Sequence, residues 1–275
     1  MTTAGEGVLY ELVRDPADYA AAYNALMREP TNRLRIKAVV ELLHHVTGPV
    51  NRVLDVASGG GAYTSPIAQK LGITDAAFVP VDRQYACVAG YRLNHPASAP
   101  ALANVTALPF RGGAFDLALC LDIIEHLDDD VKFLRDVTQT LRPGGWVLVS
   151  THNSKSLEHV VGLTSSAIRG TTWRGWDATH IRFYNGRSLR VVAEAAGLEV
   201  VAMNGTYYIP FHFPARLISL PLERLGLRAV SRGLYQAIAG VGRLVNAPFE
   251  TWSRARLLAD LGFGIIMLAR KRQGA

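Results

Sequence analysis

The chain has 275 residues, 49% of them hydrophobic, and a formal net charge of +6. That length fits one large domain or a domain with an appendage, and the apolar content excludes a wholly disordered chain, which could not bury enough surface to fold. The two cysteines, Cys87 and Cys120, have neither a metal nor a disulfide spacing, and a reducing, cytoplasmic setting is expected.

Met1 to Glu11 carry no apolar run, so no signal peptide is expected. No stretch offers ~18 uninterrupted apolar residues, so no transmembrane helix is expected either. Asp15-Pro16 opens a first helix, with a capping acid and then proline at the first helical position, running to about Glu29. Thr31 is expected to cap a second helix. Its Leu34, Val39, Leu42, Leu43 and Val46 recur at helical spacing, and Gly48-Pro49 ends it. Short apolar runs then alternate with helical ones. Arg52–Val56, Ala77–Val81, Phe115–Leu121 and Trp146–Ser150 predict buried strands; Ser65–Leu71, Gln84–Asn94 and Asp129–Leu141 predict helices. Asp128, Asp129 and Asp130 crowd the start of the last helix, where acidic charge suits the dipole. Such alternation implies a parallel sheet covered on both faces. Beyond it the pattern predicts a helix over Ser156–Ile168, a helix over Ser188–Ala196 and strands over Leu198–Met203 and Gly264–Ala269. Residues 206–260, apolar and arginine-bearing, are expected to form a helical insertion. The organisation expected is a helical cap (1–48), a ligand-binding core (49–205), the insertion (206–260), and a last strand with its tail (261–275).

The central motif is Val53-Leu54-Asp55-Val56-Ala57-Ser58-Gly59-Gly60-Gly61, a buried strand running into a glycine-rich turn that opens a helix. Glycines admit positive φ and close approach of a ligand. Open α/β sheets bind ligands outside the carboxyl ends of their strands. Asp82 ends the next strand, where a carboxylate can accept both hydroxyls of a ribose. A tight turn and a helix-capping aspartate would leave the same residues without a ligand. A nicotinamide dinucleotide is the natural competitor. Against it, Ala57 stands at the first glycine of G-x-G-x-x-G, and Asp55 offers a carboxylate suited to an amine, which S-adenosylmethionine has.

With these residues in place, the chain resembles the class I S-adenosylmethionine-dependent methyltransferases over roughly residues 35–205 plus the final strand. The resemblance implies an α/β, Rossmann-like fold: a seven-stranded, mostly parallel sheet with helices on both faces, its last strand antiparallel and inserted. It implies S-adenosylmethionine as cofactor, held by Asp55, Ala57, Gly59, Gly61, Asp82, Arg83, Asn104, Val105, Leu121 and Asp122. Asn104 stands where the family usually has an aspartate facing the adenine amino group. Phe115–Asp122 is similar to the family's fourth strand, and Leu141-Arg142-Pro143-Gly144-Gly145-Trp146 to the turn into the fifth.

Asp122-Ile123-Ile124-Glu125-His126, Thr179–Tyr184, Ala196–Val200 and Gly205–Pro210 are similar to the ubiquinone-pathway O-methyltransferases. That likeness implies O-methylation of a small-molecule acceptor. In that subgroup an acid-x-x-Glu-His segment can hold a divalent metal, which maps to Asp122, Glu125 and His126; orienting the cofactor or capping a helix are the alternatives for the two acids. An oxygen acceptor must lose a proton, a task suited to histidine near neutral pH. His126 is the first candidate base and His152 the second. His180, Trp173, Trp176, Tyr184 and Tyr207 are expected around the acceptor.

Between Thr206 and Arg256 lie seven arginines, two glutamates, no aspartate and no lysine. With its apolar residues (Phe211, Phe213, Leu217, Ile218, Leu220, Leu222), this segment is expected to form a lid. It admits a lipophilic or anionic acceptor, with peripheral membrane contact through 206–256, or packs wholly on its own domain. Two further readings stay open. One is an RNA methyltransferase, which the positive charge favours and the lack of interleaved aromatic and basic residues opposes, so no nucleic-acid partner is expected. The other is a cofactor-binding partner protein without methyl transfer.

Overall fold

The computed structural model describes residues 14–168, 170, 171, 173, 175, 177, 179–208, 219, 221–254 and 261–272. Helix α1 (Pro16–Met27) starts as its sequence dictates, the Asp15 carboxylate accepting the N–H groups of Ala17 and Asp18 at 2.9 and 3.1 Å. Helix α2 (Pro30–Leu42) corrects the expected start: Pro30 takes the first helical position and Thr31 lies inside the helix, with Glu29 at the cap. Proline's fixed φ is already helical, so it begins the helix ahead of the hydroxyl residue. The helix also ends before Gly48-Pro49, tightening into a 3₁₀ turn over Leu43–His45.

Seven strands share one sheet: β1 (Val53–Val56), β2 (Phe78–Asp82), β3 (Ala101–Leu102), β4 (Phe115–Leu121), β5 (Leu141–His152), β6 (Leu198–Thr206) and β7 (Gly264–Lys271). The spatial order is β3-β2-β1-β4-β5-β7-β6. β7 runs antiparallel to both neighbours, so it slots between β5 and β6 and leaves β6 at the edge. β6 is therefore parallel to β5. Its carboxyl end and the start of β7 open on the same side as the carboxyl ends of β1, β2, β4 and β5.

Helices α3 (Thr64–Leu71), α4 (Tyr85–Asn94), α5 (Asp130–Thr140), α6 (Leu157–Ile168), α7 (Gly186–Ala195) and α8 (Arg228–Arg254) complete the described elements. Strand residues alternate between two cores, as a pleated sheet with both faces covered requires. Leu54, Val56, Ala118, Cys120, Val147 and Val149 pack on one face with Phe133, Leu134 and Val137 of α5 and Leu189 of α7. Val53, Leu117, Leu119, Trp146 and Leu148 pack on the other with Val39 and Leu42 of α2 and Ile67 of α3. A third cluster seats Tyr19, Tyr23 and Met27 of α1 on Ala86 and Cys87 of α4. The insertion is tied to the carboxyl end of β6: Asn246 of α8 accepts the Tyr208 N–H at 2.7 Å, and the Tyr235 hydroxyl donates to Glu29 at 3.0 Å. Phe211, Phe213, Arg216, Leu217, Ile218, Leu220 and Arg256 of the expected lid lie outside the described residues. No helix among the described residues is long and apolar enough to cross a membrane.

Candidate functional site

The end of β1 turns sharply. Ala57, Gly59 and Gly61 all have positive φ, at 56°, 52° and 81°. An alanine in the left-handed region is strained unless its surroundings hold it. Here the next residue is pinned, Ser58 donating its N–H to the Val81 carbonyl of β2 at 3.1 Å. The far side of the loop is held from α4 and its cap. Asn94 donates to the Gly60 carbonyl at 2.8 Å, and His95 donates from Nε2 to the Gly61 carbonyl at 2.9 Å while its Nδ1 meets Asp75 at 2.8 Å. A Cβ on Gly60 would sit 2.3 Å from the Tyr23 ring, and one on Gly61 2.7 Å from Tyr91 and His95. The third glycine thus admits α4, and the second admits α1.

Two acids face this loop. Asp82 accepts the Gly59 N–H at 3.2 Å and the Gln84 N–H at 3.0 Å. Burial raises its carboxyl above the usual range, against those hydrogen bonds. Asp55 is 4% exposed. Burial, and then the neighbouring Asp82, push its carboxyl up to about 7, against a hydrogen bond from Tyr91. Arg83 is exposed at the tip of β2. Asn104 is exposed too, its side-chain oxygen taking the Thr106 N–H at 3.0 Å, and Val105 is buried below it. Leu121, half-buried, packs into the core beside the end of β4.

Asp122 follows at a φ of 54°. Its carboxylate is taken by the Arg35 guanidinium of α2 and by the Ser150 hydroxyl, the latter at 2.9 Å. Burial, the largest single influence, would raise its carboxyl, but the Arg35 guanidinium, His152 and the Ser150 hydroxyl together outweigh it and hold the group below the usual range. The expected trio of Asp122, Glu125 and His126 is therefore not assembled as a ligand set. Among the described residues, two other groups have ligand atoms within 4.8 Å of one another: Glu125, His152 and His180, and His126, Asp177 and His180. Asp122 belongs to neither. With the Asp122 carboxylate taken by Arg35 and Ser150, the acid-x-x-Glu-His residues do not fit a metal as a set.

The histidines converge from three elements. Glu125 and His126 sit on a 3₁₀ turn (Ile124–His126), His152 ends β5, and His180 lies on a loop clamped to that turn by the Ile181 N–H donating to the Glu125 carbonyl at 3.0 Å. The rings of His126 and His152 stand 4.8 and 4.7 Å from that of His180. His152 Nδ1 meets Glu125 Oε1 at 3.1 Å. Burial, the largest single influence, would lower His152, but the hydrogen bond and charge of Glu125 together with the charge of Asp122 outweigh it and raise the group. Burial, and next the charge on His152, push His180 down to about 4. His126 Nδ1 is 3.0 Å from the Thr179 hydroxyl, which itself donates to Asp177 at 2.6 Å. One hydroxyl has one hydrogen, so Thr179 accepts from His126. The network thereby assigns the proton to Nδ1 and leaves Nε2 with its lone pair.

Of the other expected acceptor residues, Tyr207 contacts Phe263 ring to ring, and Phe263 in turn contacts His152. Trp173 packs on Gly162 of α6 and donates to His159 at 3.3 Å; His159 reaches the cluster through Phe183. Tyr184 corrects the expectation. It is a core residue, 3% exposed, with its hydroxyl donating to Asp130 at 2.7 Å, so it does not face an acceptor. Trp176 lies outside the described residues. Reading the sequence missed Arg35, Asp177 and Phe263. Asp177-x-Thr179 is the spacing of a side-chain turn, and the Thr179 N–H does donate to Asp177 at 2.8 Å. Nothing local marks Arg35.

An antiparallel strand slotted beside the far edge separates this sheet from dinucleotide-binding folds and defines a class I S-adenosylmethionine-dependent methyltransferase. Residues 19–203 match the methyltransferase domain family, and the chain belongs to it. Its cofactor is S-adenosylmethionine. It is 27% identical over 165 residues to a ubiquinone biosynthesis O-methyltransferase of Idiomarina loihiensis, covering 58% of this chain and 66% of that one. It is 28% identical over 190 residues to the protein of that name from Bordetella bronchiseptica, covering 65% and 74%. The human mitochondrial counterpart is 26% identical, covering 58% and 44%. The chain thus spans between about half and three quarters of the length of these relatives. Among solved structures it resembles the [4+2]-cyclase SpnF (TM-score 0.57, 18% identity, 88% and 84% covered). It also resembles a methyltransferase from Thermotoga maritima described as a possible histamine N-methyltransferase (TM-score 0.56, 13% identity, 96% and 100% covered). That spread of chemistries on one fold means the reaction has to be argued from the site.

Proposed function

We propose that the protein transfers the methyl group of S-adenosylmethionine to a hydroxyl oxygen of a small, lipophilic acceptor, with His126 taking the proton. One observation carries this: the Asp177–Thr179–His126 relay sets the tautomer of a half-buried imidazole, so that the neutral ring turns the lone pair of Nε2 outward at the carboxyl ends of β4 and β5. The shared name of the relatives supports the O-directed reading.

In this reading Ala57, Gly59 and Gly61 let the cofactor approach the backbone, and Asp82 accepts from its ribose. Asp55 meets its amine, and Arg35 meets its carboxylate or an anionic part of the acceptor. Arg83, Asn104, Val105, Leu121 and Asp122 line the adenine end and the strand tips. The sulfonium is already activated, so the enzyme chiefly aligns oxygen, carbon and sulfur in line. The acceptor O–H gives its proton to His126 Nε2, and the oxygen bonds to the methyl carbon. The C–S bond breaks with its electron pair going to sulfur, leaving S-adenosylhomocysteine. A lipophilic acceptor is supported by the exposed apolar stripe of α6: Leu157, Val160, Val161 and Ile168 are 53, 50, 50 and 82% exposed at helical spacing. The same stripe, with the arginine-bearing insertion, supports peripheral contact with a membrane surface.

The test is methyl transfer from labelled S-adenosylmethionine to phenols with and without a long apolar tail. Labelled ether product is expected with the tailed compounds, and His126→Gln should lower kcat by about 10²- to 10⁴-fold with cofactor affinity kept. Transfer only to nitrogen acceptors, or an unimpaired His126→Gln, would refute the reading. Sedimentation with anionic liposomes tests the membrane contact, and a protein that stays in the supernatant removes it.

A further inference from the structure

We propose that Glu125, His152 and His180 form a binding site for a borderline first-row divalent cation, in place of the Asp122, Glu125 and His126 set that the family likeness suggests. The inference concerns the same active centre but does not rest on the identity of the acceptor or on turnover. Its starting point is a mismatch. Arg35 and Ser150 occupy the Asp122 carboxylate, so the first acid of the motif is unavailable to an ion.

The alternative trio is assembled. One ligand atom from each residue lies within 4.8 Å of the others. An ion at the centre of a triangle of that size is about 2.8 Å from each corner. Reaching the 2.0–2.2 Å typical of nitrogen and oxygen ligands asks each for a shift of only about 0.7 Å. One pair is already close, His152 Nδ1 and Glu125 Oε1 standing at 3.1 Å. Glu125 is fully buried, and its second oxygen, Oε2, has no hydrogen-bond partner; His180 is 6% exposed, and its Nδ1 has none either. Buried polar atoms are almost always satisfied, so two orphans within one three-residue cluster need a common partner. A cation accepts electron pairs from both. The backbone bond from Ile181 to Glu125 holds the His180 loop against the Glu125 turn, so the ligands are brought together by the fold and not by an ion.

The second group competes only for His180. Asp177 there is already engaged by the Thr179 N–H and hydroxyl, which favours the Glu125 set. Two imidazoles and one carboxylate select zinc, cobalt, manganese or iron over magnesium, which prefers all-oxygen, water-rich coordination. Three protein ligands leave a coordination position open, where a bound cation would act as a Lewis acid toward an acceptor oxygen.

The test uses the whole chain, stripped with chelator and titrated with Co²⁺ by visible absorption and with Zn²⁺ by calorimetry, without acceptor or cofactor. One equivalent is expected to bind, with cobalt ligand-field bands. His180→Gln and Glu125→Gln should each weaken binding at least tenfold, while Asp122→Asn and His126→Gln stay within about twofold. Circular dichroism confirms that each variant is folded, and S-adenosylhomocysteine binding adds a second check for the variants outside the cofactor site. If the Glu125 variant fails that check, His180→Gln together with His152→Gln decides the case. Absence of saturable binding to the wild type overturns the proposal. So does binding that Asp122→Asn or His126→Gln abolishes and His180→Gln spares. Failure here leaves methyl transfer standing, because S-adenosylhomocysteine binding and product formation are read separately.

Discussion

Cofactor affinity should depend on pH through Asp55. Burial and the nearby Asp82 raise this carboxyl to about 7. A cationic amine needs it ionised, so binding must draw off the proton in slightly acidic solution. At pH 6 about 10% of free protein carries the ionised form, and at pH 7.5 about 75%. The dissociation constant for S-adenosylhomocysteine should therefore fall about eightfold over that interval, or about 1.2 kcal/mol. Calorimetry in buffers of different ionisation enthalpy should show release of close to one proton per ligand at pH 6 and little at pH 7.5. Asp55→Asn should bind at least tenfold more weakly at pH 7.5 with a flat pH profile. The same burial has a cost in stability. A carboxyl raised above its unfolded value contributes least once it is ionised, so stability is fullest below about pH 4 and declines as pH climbs toward 7. Asp55→Asn removes that loss, up to about 4 kcal/mol at pH 8, and should raise Tm while impairing binding. Affinity that is constant from pH 6 to 7.5, with no proton release, would refute the assignment of Asp55 to the cofactor amine.

Three further outcomes follow from other contacts. Arg35→Ala strands the Asp122 carboxylate, 11% exposed, without its guanidinium; breaking such a pair costs about 3 kcal/mol. Urea unfolding should show much of that loss recovered in the Arg35→Ala, Asp122→Asn double variant, and additive losses would mean the pair is not coupled. Gly60→Ala drives a methyl group into the Tyr23 ring and should loosen α1. Hydrogen exchange over Pro16–Met27 should rise by an order of magnitude or more, and unchanged exchange would show that α1 is not seated on the loop. Asp130 accepts from Tyr184 at 2.7 Å and pairs with Arg182 at 2.6 Å; these partners outweigh burial and hold its carboxyl below the usual range. A depressed carboxyl contributes above its unfolded value of about 3.9 and ceases to contribute as pH falls through its folded value. Asp130→Asn should thus destabilise at pH 7 and converge with the wild type in acid, whereas a constant difference would point to packing instead.

Strand β4 is legible to the residue, Phe115–Leu121, because a seven-residue, mostly apolar run bounded by turns is too short for a helix and suits a strand buried on both faces. β5 was legible only in its middle. Its true span, Leu141–His152, includes Pro143-Gly144-Gly145, which local propensity treats as a break; pairing with β4 at Leu141 and again from Trp146 brackets this irregular stretch, and pairing with β7 carries the strand out to His152. β3 was missed because two residues hold no periodicity, and it exists through pairing with β2. The glycine loop and Asp82 were legible because a turn of that shape needs those residues locally. Arg35 lies 87 positions from Asp122, and Asp130 lies 54 from Tyr184, so neither pairing leaves a local trace. That distance is why the sequence alone points to a metal ligand at Asp122 and an acceptor wall at Tyr184.

The carboxyl ends of the strands divide by chemistry. Toward β1 and β2 stand carboxyl groups that burial raises, Asp55 and Asp82. Toward β4 and β5 stand three imidazoles within ring contact, His126, His152 and His180. Asp122, at the end of β4 and paired with Arg35 from α2, lies between the two groups. A sulfonium cofactor with an amine asks for anionic partners, and an acceptor that must lose a proton asks for bases. If the two kinds of group were mixed, the acids would raise the imidazoles, as Glu125 already does to His152 against burial. Keeping His126 on a neutral hydroxyl instead of directly on a carboxylate puts the proton of the neutral ring on Nδ1 and its lone pair on Nε2. Replacing Thr179 with valine should therefore impair proton removal and spare cofactor binding, reducing kcat while the dissociation constant for S-adenosylhomocysteine stays within about twofold; equal losses in both would mean that Thr179 only holds the loop.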